Sequence, residues 1–303
     1  MITPQQQIRR RTYGTIDTTF LRAPALAGPV IALHCSGASG KQWRDLSQAL
    51  AGRFNVIAPD LIGCGENSRW HGEGPFQLTS EAAAVIDIID ACDVPVHLVG
   101  HSYGGGVALR VAIERPNRVA SLSLYEPTSF HALKAAGPDG WDALTEIRAV
   151  AREISQGIAN GAYRAAARRF VDYWNGSGAW NRLRPEVQAD LVRWVPKAAL
   201  DFRALIEERI PLEAYRRARI PMLLMHGDDS PMPAQLVAHK LARSLNPRVV
   251  QIIAGAGHMG PLTHAEIVNR AILDHLRAVE AQRVPLAQAT CQATCHVALG
   301  GAA

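Results

Sequence analysis

The 303-residue sequence has no run of about 18 uninterrupted apolar residues, the length a helix needs to cross a bilayer, so no membrane span is expected. Its opening, Met1-Ile2-Thr3-Pro4, three glutamines and then Arg9-Arg10-Arg11, has no apolar stretch behind its charges and does not read as a secretory signal. Lysine is scarce: four of the 32 basic residues, against 27 acidic ones, for a net charge of +5. The arginines are scattered rather than gathered into a stripe with aromatics, so the excess reads as surface charge and no nucleic-acid partner is expected. Five cysteines, at 35, 64, 92, 291 and 295, give an odd count without scaffold spacing. The first three lie in or beside core elements and read as reduced thiols of a cytoplasmic protein. No internal repeat is visible. Apolar residues at 48% support a sizeable core, and the length allows one large α/β domain with an insertion.

Short apolar strands alternate with helical patterns. The expected strands are Val30–His34, Val56–Asp60, Val96–Gly100, Val119–Tyr125, Met222–His226 and Val249–Ile253. The expected helices are Lys41–Leu50, Thr79–Ala91, Gly104–Glu114, Ala234–Leu245 and Glu266–Ala278. Near-continuous apolar strands between helices imply a parallel sheet covered on both faces. Arg10–Tyr13 and Thr15–Leu21 are β-prone and would add an edge hairpin, for eight strands in all. Between Pro127 and Arg219 the alternation stops, and about ninety residues of helical character follow, carrying Trp141, Trp174, Trp180 and Trp194. An insertion after the sixth strand would sit over the strand ends, where open α/β sheets bind ligands. The expected division is a core over 1–126 and 219–280, a helical cap over 127–218 and a poorly ordered tail over 281–303. In that tail Cys291, Cys295 and His296 offer three donors and no fourth, short of a structural zinc set, so no metal is expected.

Gly100-His101-Ser102-Tyr103-Gly104 follows the apolar run Val96–Val99 and leads into a helical stretch. A strand, a sharp turn and a helix expose and orient a serine hydroxyl, which marks Ser102 as a nucleophile. The flanking glycines fit a backbone forced to positive φ and packed closely. His258, in Gly255-Ala256-Gly257-His258-Met259-Gly260 beyond the last strand, stands where a base is needed, late in the chain. The same segment spells G-x-G-x-x-G, but no βαβ unit follows it, so the dinucleotide reading is rejected. An oxyanion needs two backbone N–H donors: that of Tyr103, and one from His34-Cys35-Ser36-Gly37, with Ser36 favoured over Cys35. An acid to orient the histidine is available at two strand ends, Glu126 and Asp228-Asp229, which lie about 4.8 Å per strand apart in a sheet and so both within reach. Pro127 biases Glu126 toward an extended backbone. His34, His101, Trp174 and Met259 are candidates for the pocket wall.

These motifs, with Ala58-Pro59-Asp60-Leu61-Ile62-Gly63-Cys64-Gly65, make residues 28–126 and 219–278 resemble the α/β-hydrolase superfamily, in its capped bacterial serine-hydrolase form. The resemblance implies a mostly parallel eight-stranded sheet with helices on both faces. Two departures stand out. The usual His-Gly of the oxyanion loop is His34-Cys35, and the place three residues beyond Gly227, where many members carry their acid, holds Ser230. Tyr125-Glu126-Pro127 is similar to relatives, some haloalkane dehalogenases among them, that place the acid after the sixth strand. Glu126 is therefore preferred, with Asp229 as the alternative. Ser102 itself excludes dehalogenation, which uses an aspartate there. The implied activity is hydrolysis of a small-molecule carboxylic ester or related acyl bond through an acyl-enzyme, with no metal or organic cofactor. Carbon–carbon, lactone or thioester hydrolysis and cofactor-free perhydrolysis would use the same triad. A non-catalytic ligand-binding protein is the rival from another class.

Overall fold

The computed structural model describes residues 27–299, with side chains to residue 283. Six strands, β1 (Val30–Leu33), β2 (Val56–Ile57), β3 (Val96–His101), β4 (Val119–Tyr125), β5 (Met222–Gly227) and β6 (Val249–Ile253), form one sheet in the order β2-β1-β3-β4-β5-β6. Every neighbouring pair is parallel. Six strands are thus present among the described residues where eight were expected, and the β-prone Arg10–Tyr13 and Thr15–Leu21 lie outside them. β2 is shorter than the expected Val56–Asp60 and pairs over two residues only. Pro59 has no N–H to extend that ladder.

Successive side chains of a strand face opposite ways, and the core divides accordingly. Val30, Ala32, Val99, Leu223 and Met225 pack with the helices Arg44–Leu50 and Ala265–Leu299. Ile31, Leu33, Leu98, Leu122 and Leu224 pack with Leu78–Asp90, Tyr103–Glu114 and Met232–Leu245 on the other face. The helix that starts at Ala265 does not stop near Ala278. It continues to Leu299, past the point where the sequence was expected to lose regular structure. Alanine and glutamine, abundant there, are good helix formers, and the first glycine comes at Gly300. Cys291, Cys295 and His296 lie beyond the described side chains.

Between β4 and β5 only helical segments occur: Phe130–Ala135, Pro138–Ala159, Tyr163–Asn175, Ala179–Arg182, Pro185–Trp194, Pro196–Ile206 and Leu212–Arg217. Three of these begin on proline, whose missing N–H costs nothing in a first helical turn. The insertion follows the fourth described strand, not the sixth, because the two expected N-terminal strands are not among the described residues. Its buried face, including Phe130, Trp174 and Phe202, is continuous with the core on the Leu33 side of the sheet. Trp141 is half exposed, whereas Trp174, Trp180 and Trp194 are buried. Among the described residues no helix is long and apolar enough to cross a membrane.

The turn from β3 into Tyr103–Glu114 is closely packed. A Cβ added at Gly104 would lie 2.4 Å from the Leu33 carbonyl oxygen and 2.6 Å from that of His34. One added at Gly100 would lie 2.7 Å from the Gly104 oxygen. Neither glycine has positive φ. The positive φ expected of them falls on Ser102, and their role is close approach alone. Gly104→Ala is expected to destabilise the protein by about 1–3 kcal/mol, the usual cost of overpacking, measured as a lowered urea midpoint at unchanged m-value.

Candidate active site

Ser102 sits at the carboxyl end of β3 with φ +54 and ψ −118, a conformation that costs a non-glycine residue about 1–3 kcal/mol. It is held there from both sides: its N–H donates to the Tyr125 carbonyl (3.0 Å), and its own carbonyl accepts from Gly105 N–H (2.9 Å) and Thr128 N–H (3.1 Å). The hydroxyl is thereby aimed at His258, whose Nε2 lies 2.9 Å from Ser102 Oγ. His258 Nδ1 lies 2.6 Å from Glu126 Oε2. A carboxylate only accepts, so Nδ1 carries the proton and Nε2 is left to accept from the serine hydroxyl.

Of the two candidate acids, the fold brings Glu126 to the imidazole and leaves Asp229 exposed, its N–H on the Ala256 carbonyl. Glu126 is 1% exposed. Burial alone would raise its carboxyl, but His258, Ser230 and the Gly227 N–H outweigh that and hold it below the ordinary glutamate value. Its Oε1 accepts from Gly227 N–H (2.8 Å) and Ser230 Oγ–H (2.5 Å). Ser230 thus donates to a carboxylate that comes from the end of β4. The expectation of an extended Glu126 is not met. Its φ is +43, with its N–H still on the Met225 carbonyl at 2.9 Å. The three side-chain hydrogen bonds offset the cost of that turn. Asp228, the neighbour of the alternative acid, holds the base's loop through Oδ1 on Gly255 N–H at 2.7 Å.

Two predicted pocket residues turn out to be braces. His34 is fully buried, with Nδ1 2.8 Å from the Cys35 carbonyl and Nε2 3.0 Å from Leu61 N–H. His101 is fully buried too, with Nε2 2.8 Å from the His258 carbonyl and Nδ1 3.0 Å from Gln42 Nε2. Gln42 Oε1 in turn accepts from Cys35 N–H (3.0 Å). An unbroken relay therefore joins the loop after β1 to the loop carrying His258. It occupies Cys35 N–H, while Ser36 N–H meets no protein acceptor among the described residues. Met259 is half-buried and is not part of the cavity wall at Ser102.

That cavity is only about 10 Å³ and is lined by Ser36, Ser102, Thr128, Asp201 and an apolar wall that includes Phe130 and Trp174. Trp174 is part of that lining and stacks on His258, ring centroids 4.2 Å apart and planes at 25°. Phe130 stacks on Trp174 and on Phe202. Thr128, Phe130, Phe170, Asp201, Phe202 and Leu205 were not found from the sequence. Thr128 was legible in principle, two residues after Glu126; the others depend on how insertion helices face the sheet. Among the described residues no group of three or more His, Cys, Asp or Glu side chains is placed to hold a metal ion.

Burial drives His34 down to about 4 and His101 to about 3, so both are neutral wherever the protein is folded at ordinary pH. On unfolding they return to the ordinary value of 6.5 and take up protons. The unfolded chain thus binds more protons between the folded and unfolded values, and stability falls as pH drops from about 6.5 toward 4. Wild-type stability, followed by urea unfolding near pH 5, is expected to fall more steeply than that of His101→Asn by about one proton, ~1.4 kcal/mol per pH unit. Other buried groups contribute equally to both proteins and cancel. Equal slopes would mean that His101 is not held neutral.

A profile of the alpha/beta hydrolase family matches residues 30–271. The chain is 29% identical over 253 residues to the dihydrolipoyllysine-residue acetyltransferase component of an acetoin cleaving system from Pseudomonas putida, covering 82% of this chain and 63% of that one. It therefore spans somewhat less than two thirds of that relative's length. It is 26% identical over 264 residues to a pimeloyl-[acyl-carrier protein] methyl ester esterase of Neisseria meningitidis, covering 84% of this chain and 96% of that one. A solved thermophilic esterase from Thermogutta terrifontis superposes with a TM-score of 0.63 at 23% identity, over 84% of this chain and 91% of that one, a likeness of fold. The chain belongs to the alpha/beta hydrolase family.

Proposed function

We propose that this chain is a serine hydrolase that cleaves a carboxylic ester, or a closely related acyl bond, of a small molecule through an acyl-enzyme. The observation that carries this reading is the alignment of Ser102 Oγ, His258 and Glu126 by two hydrogen bonds of 2.9 and 2.6 Å. In the first half-reaction Ser102 Oγ attacks the acyl carbon while His258 Nε2 takes the hydroxyl proton. Glu126 keeps the proton on Nδ1 and stabilises the imidazolium. The oxyanion is received by the N–H groups of Ser36 and Tyr103, which no protein acceptor engages among the described residues. The imidazolium then protonates the leaving alkoxide, and water repeats the sequence on the acyl-enzyme. A methyl ester esterase among the relatives is consistent with an ester substrate, and a putative carbamate hydrolase of Variovorax paradoxus, 28% identical over 88% of this chain and 97% of that one, with a related acyl bond.

Helices 127–218 act in this reading as a cap. Ser102 is 5% and His258 3% exposed, so substrate reaches them only when Trp174 swings off the imidazole. The aromatic wall suits an apolar acyl group, for which the cavity must open. The buried Cys35 and Cys64 thiols fit a reducing cytoplasm.

A fluorophosphonate probe is expected to label the protein, and Ser102→Ala to abolish labelling. A folded protein that takes no label would instead favour a binding protein built on this fold. Glu126→Gln is expected to lower kcat for a short 4-nitrophenyl ester by about 10³–10⁴-fold, with Asp229→Asn nearly silent, since an acid that fixes the tautomer is worth that much. The reverse order would overturn the assignment. Trp174→Ala is expected to raise kcat/KM for an octanoyl ester relative to an acetyl ester by about tenfold, the worth of one or two accommodated methylenes. An unchanged ratio would remove Trp174 from the acyl pocket. A diketone in the same panel tests carbon–carbon hydrolysis directly.

A further inference from the structure

Outside the three aligned side chains, a heavily buried ionic cluster among the described residues lies just behind the proposed oxyanion donors. Lys197 is 6% exposed, Glu81 1% and Asp201 2%. Lys197 Nζ hydrogen-bonds Asp201 Oδ1 and lies 3.4 Å from Glu81 Oε2. It also faces the rings of Phe76 and Tyr103 at 4.4 and 4.7 Å. Lysine and aspartate come from one helix of the insertion, Pro196–Ile206, and the glutamate from the core helix Leu78–Asp90. Burial pushes both carboxyls up, against the pull of the shared ammonium. An arrangement so expensive to desolvate is poor glue, since apolar residues of the same volume often hold a core as well.

The remaining lone pairs of the two carboxylates go to particular places. Asp201 Oδ2 accepts from Ser36 Oγ–H at 2.7 Å. Glu81 Oε2 accepts from Tyr103 O–H at 3.0 Å, and Glu81 Oε1 from Ile62 N–H at 2.7 Å. Ser36 and Tyr103 are the two residues whose N–H groups receive the oxyanion in the reading above. Their backbones come from different strand ends, so nothing local fixes the distance between them. Each carries a hydroxyl, and each hydroxyl ends on a carboxylate of the same lysine.

We propose that Lys197, with Asp201 and Glu81, is a positioning device for the oxyanion hole, tying Ser36 and Tyr103 to one ammonium carried by the cap. The inference rests on the serine-hydrolase reading. Seating the cap completes the cluster, and lifting the cap removes Lys197 and Asp201 together, so Ser36 loses its tether. The hole is fully formed only while the site is closed over its substrate.

The test uses Ser36→Ala and Tyr103→Phe, each of which deletes one hydroxyl and keeps the N–H. With 4-nitrophenyl acetate each is expected to lower kcat about tenfold at nearly constant KM, the scale of a small misplacement of a catalytic group. Affinity for phenylboronic acid, whose Ser102 adduct places an oxygen in the hole, should fall in proportion to kcat/KM. Ser36→Thr restores the hydroxyl and should recover most of the loss. Lys197→Met should lower kcat at least as much; where it yields no folded protein, the two hydroxyl variants decide. A lowered melting temperature with kcat and boronate affinity unchanged would make the cluster structural and overturn the proposal. Wild-type protein that a fluorophosphonate fails to label at Ser102 would overturn both this inference and the reading beneath it. Labelled protein with insensitive variants would overturn this one alone.

Discussion

A carboxylate removed from water must be supplied with donors, and Glu126 receives them from three separate segments. Gly227 N–H comes from the end of β5, Ser230 Oγ–H from the loop beyond it and His258 Nδ1–H from the loop beyond β6. Each bond to an ionised acceptor is stronger than one between neutral groups, and each is further strengthened by the low dielectric around it. Withdraw any donor and the buried charge is left undersolvated. The loops after β4, β5 and β6 are thus obliged to meet at one point. His258 is consequently presented to Ser102.

On the other side of Ser102 a second polar framework does comparable work with neutral groups. Cys35 N–H, Gln42, His101 and the His258 carbonyl form a chain across the strand ends. Burial keeps His101 neutral, which lets it accept at Nδ1 and donate at Nε2. His34 does the same for the loop after β2 through Leu61 N–H. Histidines placed among apolar strands are usually read as pocket groups. These two are instead bidirectional connectors, since a neutral imidazole offers one donor and one acceptor on opposite edges.

The insertion then closes the upper side with aromatic rings and one buried ammonium. Trp174 lies flat on the imidazole, and Phe130 and Phe202 continue the stack. Such a wall excludes water and so raises the strength of every electrostatic contact at Ser102.

Much of this was legible in residue order. Ser102 announced itself because a serine between a buried run and a glycine-rich helix start has few other uses, and His258 because small residues surround it after the last strand. The parallel sheet followed from near-continuous apolar segments between helices, a pattern that burial on both faces imposes. Other matters depended on distance between segments remote in sequence. Glu126 and Asp229 both stand at strand ends, and only the folded chain has Glu126 turned inward by a positive φ that Pro127 argued against. The strand bounds of β2 and the roles of His34 and His101 as braces were likewise decided by pairing and packing. The Lys197 cluster joins residues 36, 81, 103, 197 and 201, and no periodicity links them. Local sequence determines which chemistry a residue carries and which element it sits in. Which groups share a proton is set by the tertiary structure, because a hydrogen bond forms within about 3 Å and side chains a hundred residues apart reach that range only through the packing of everything between them.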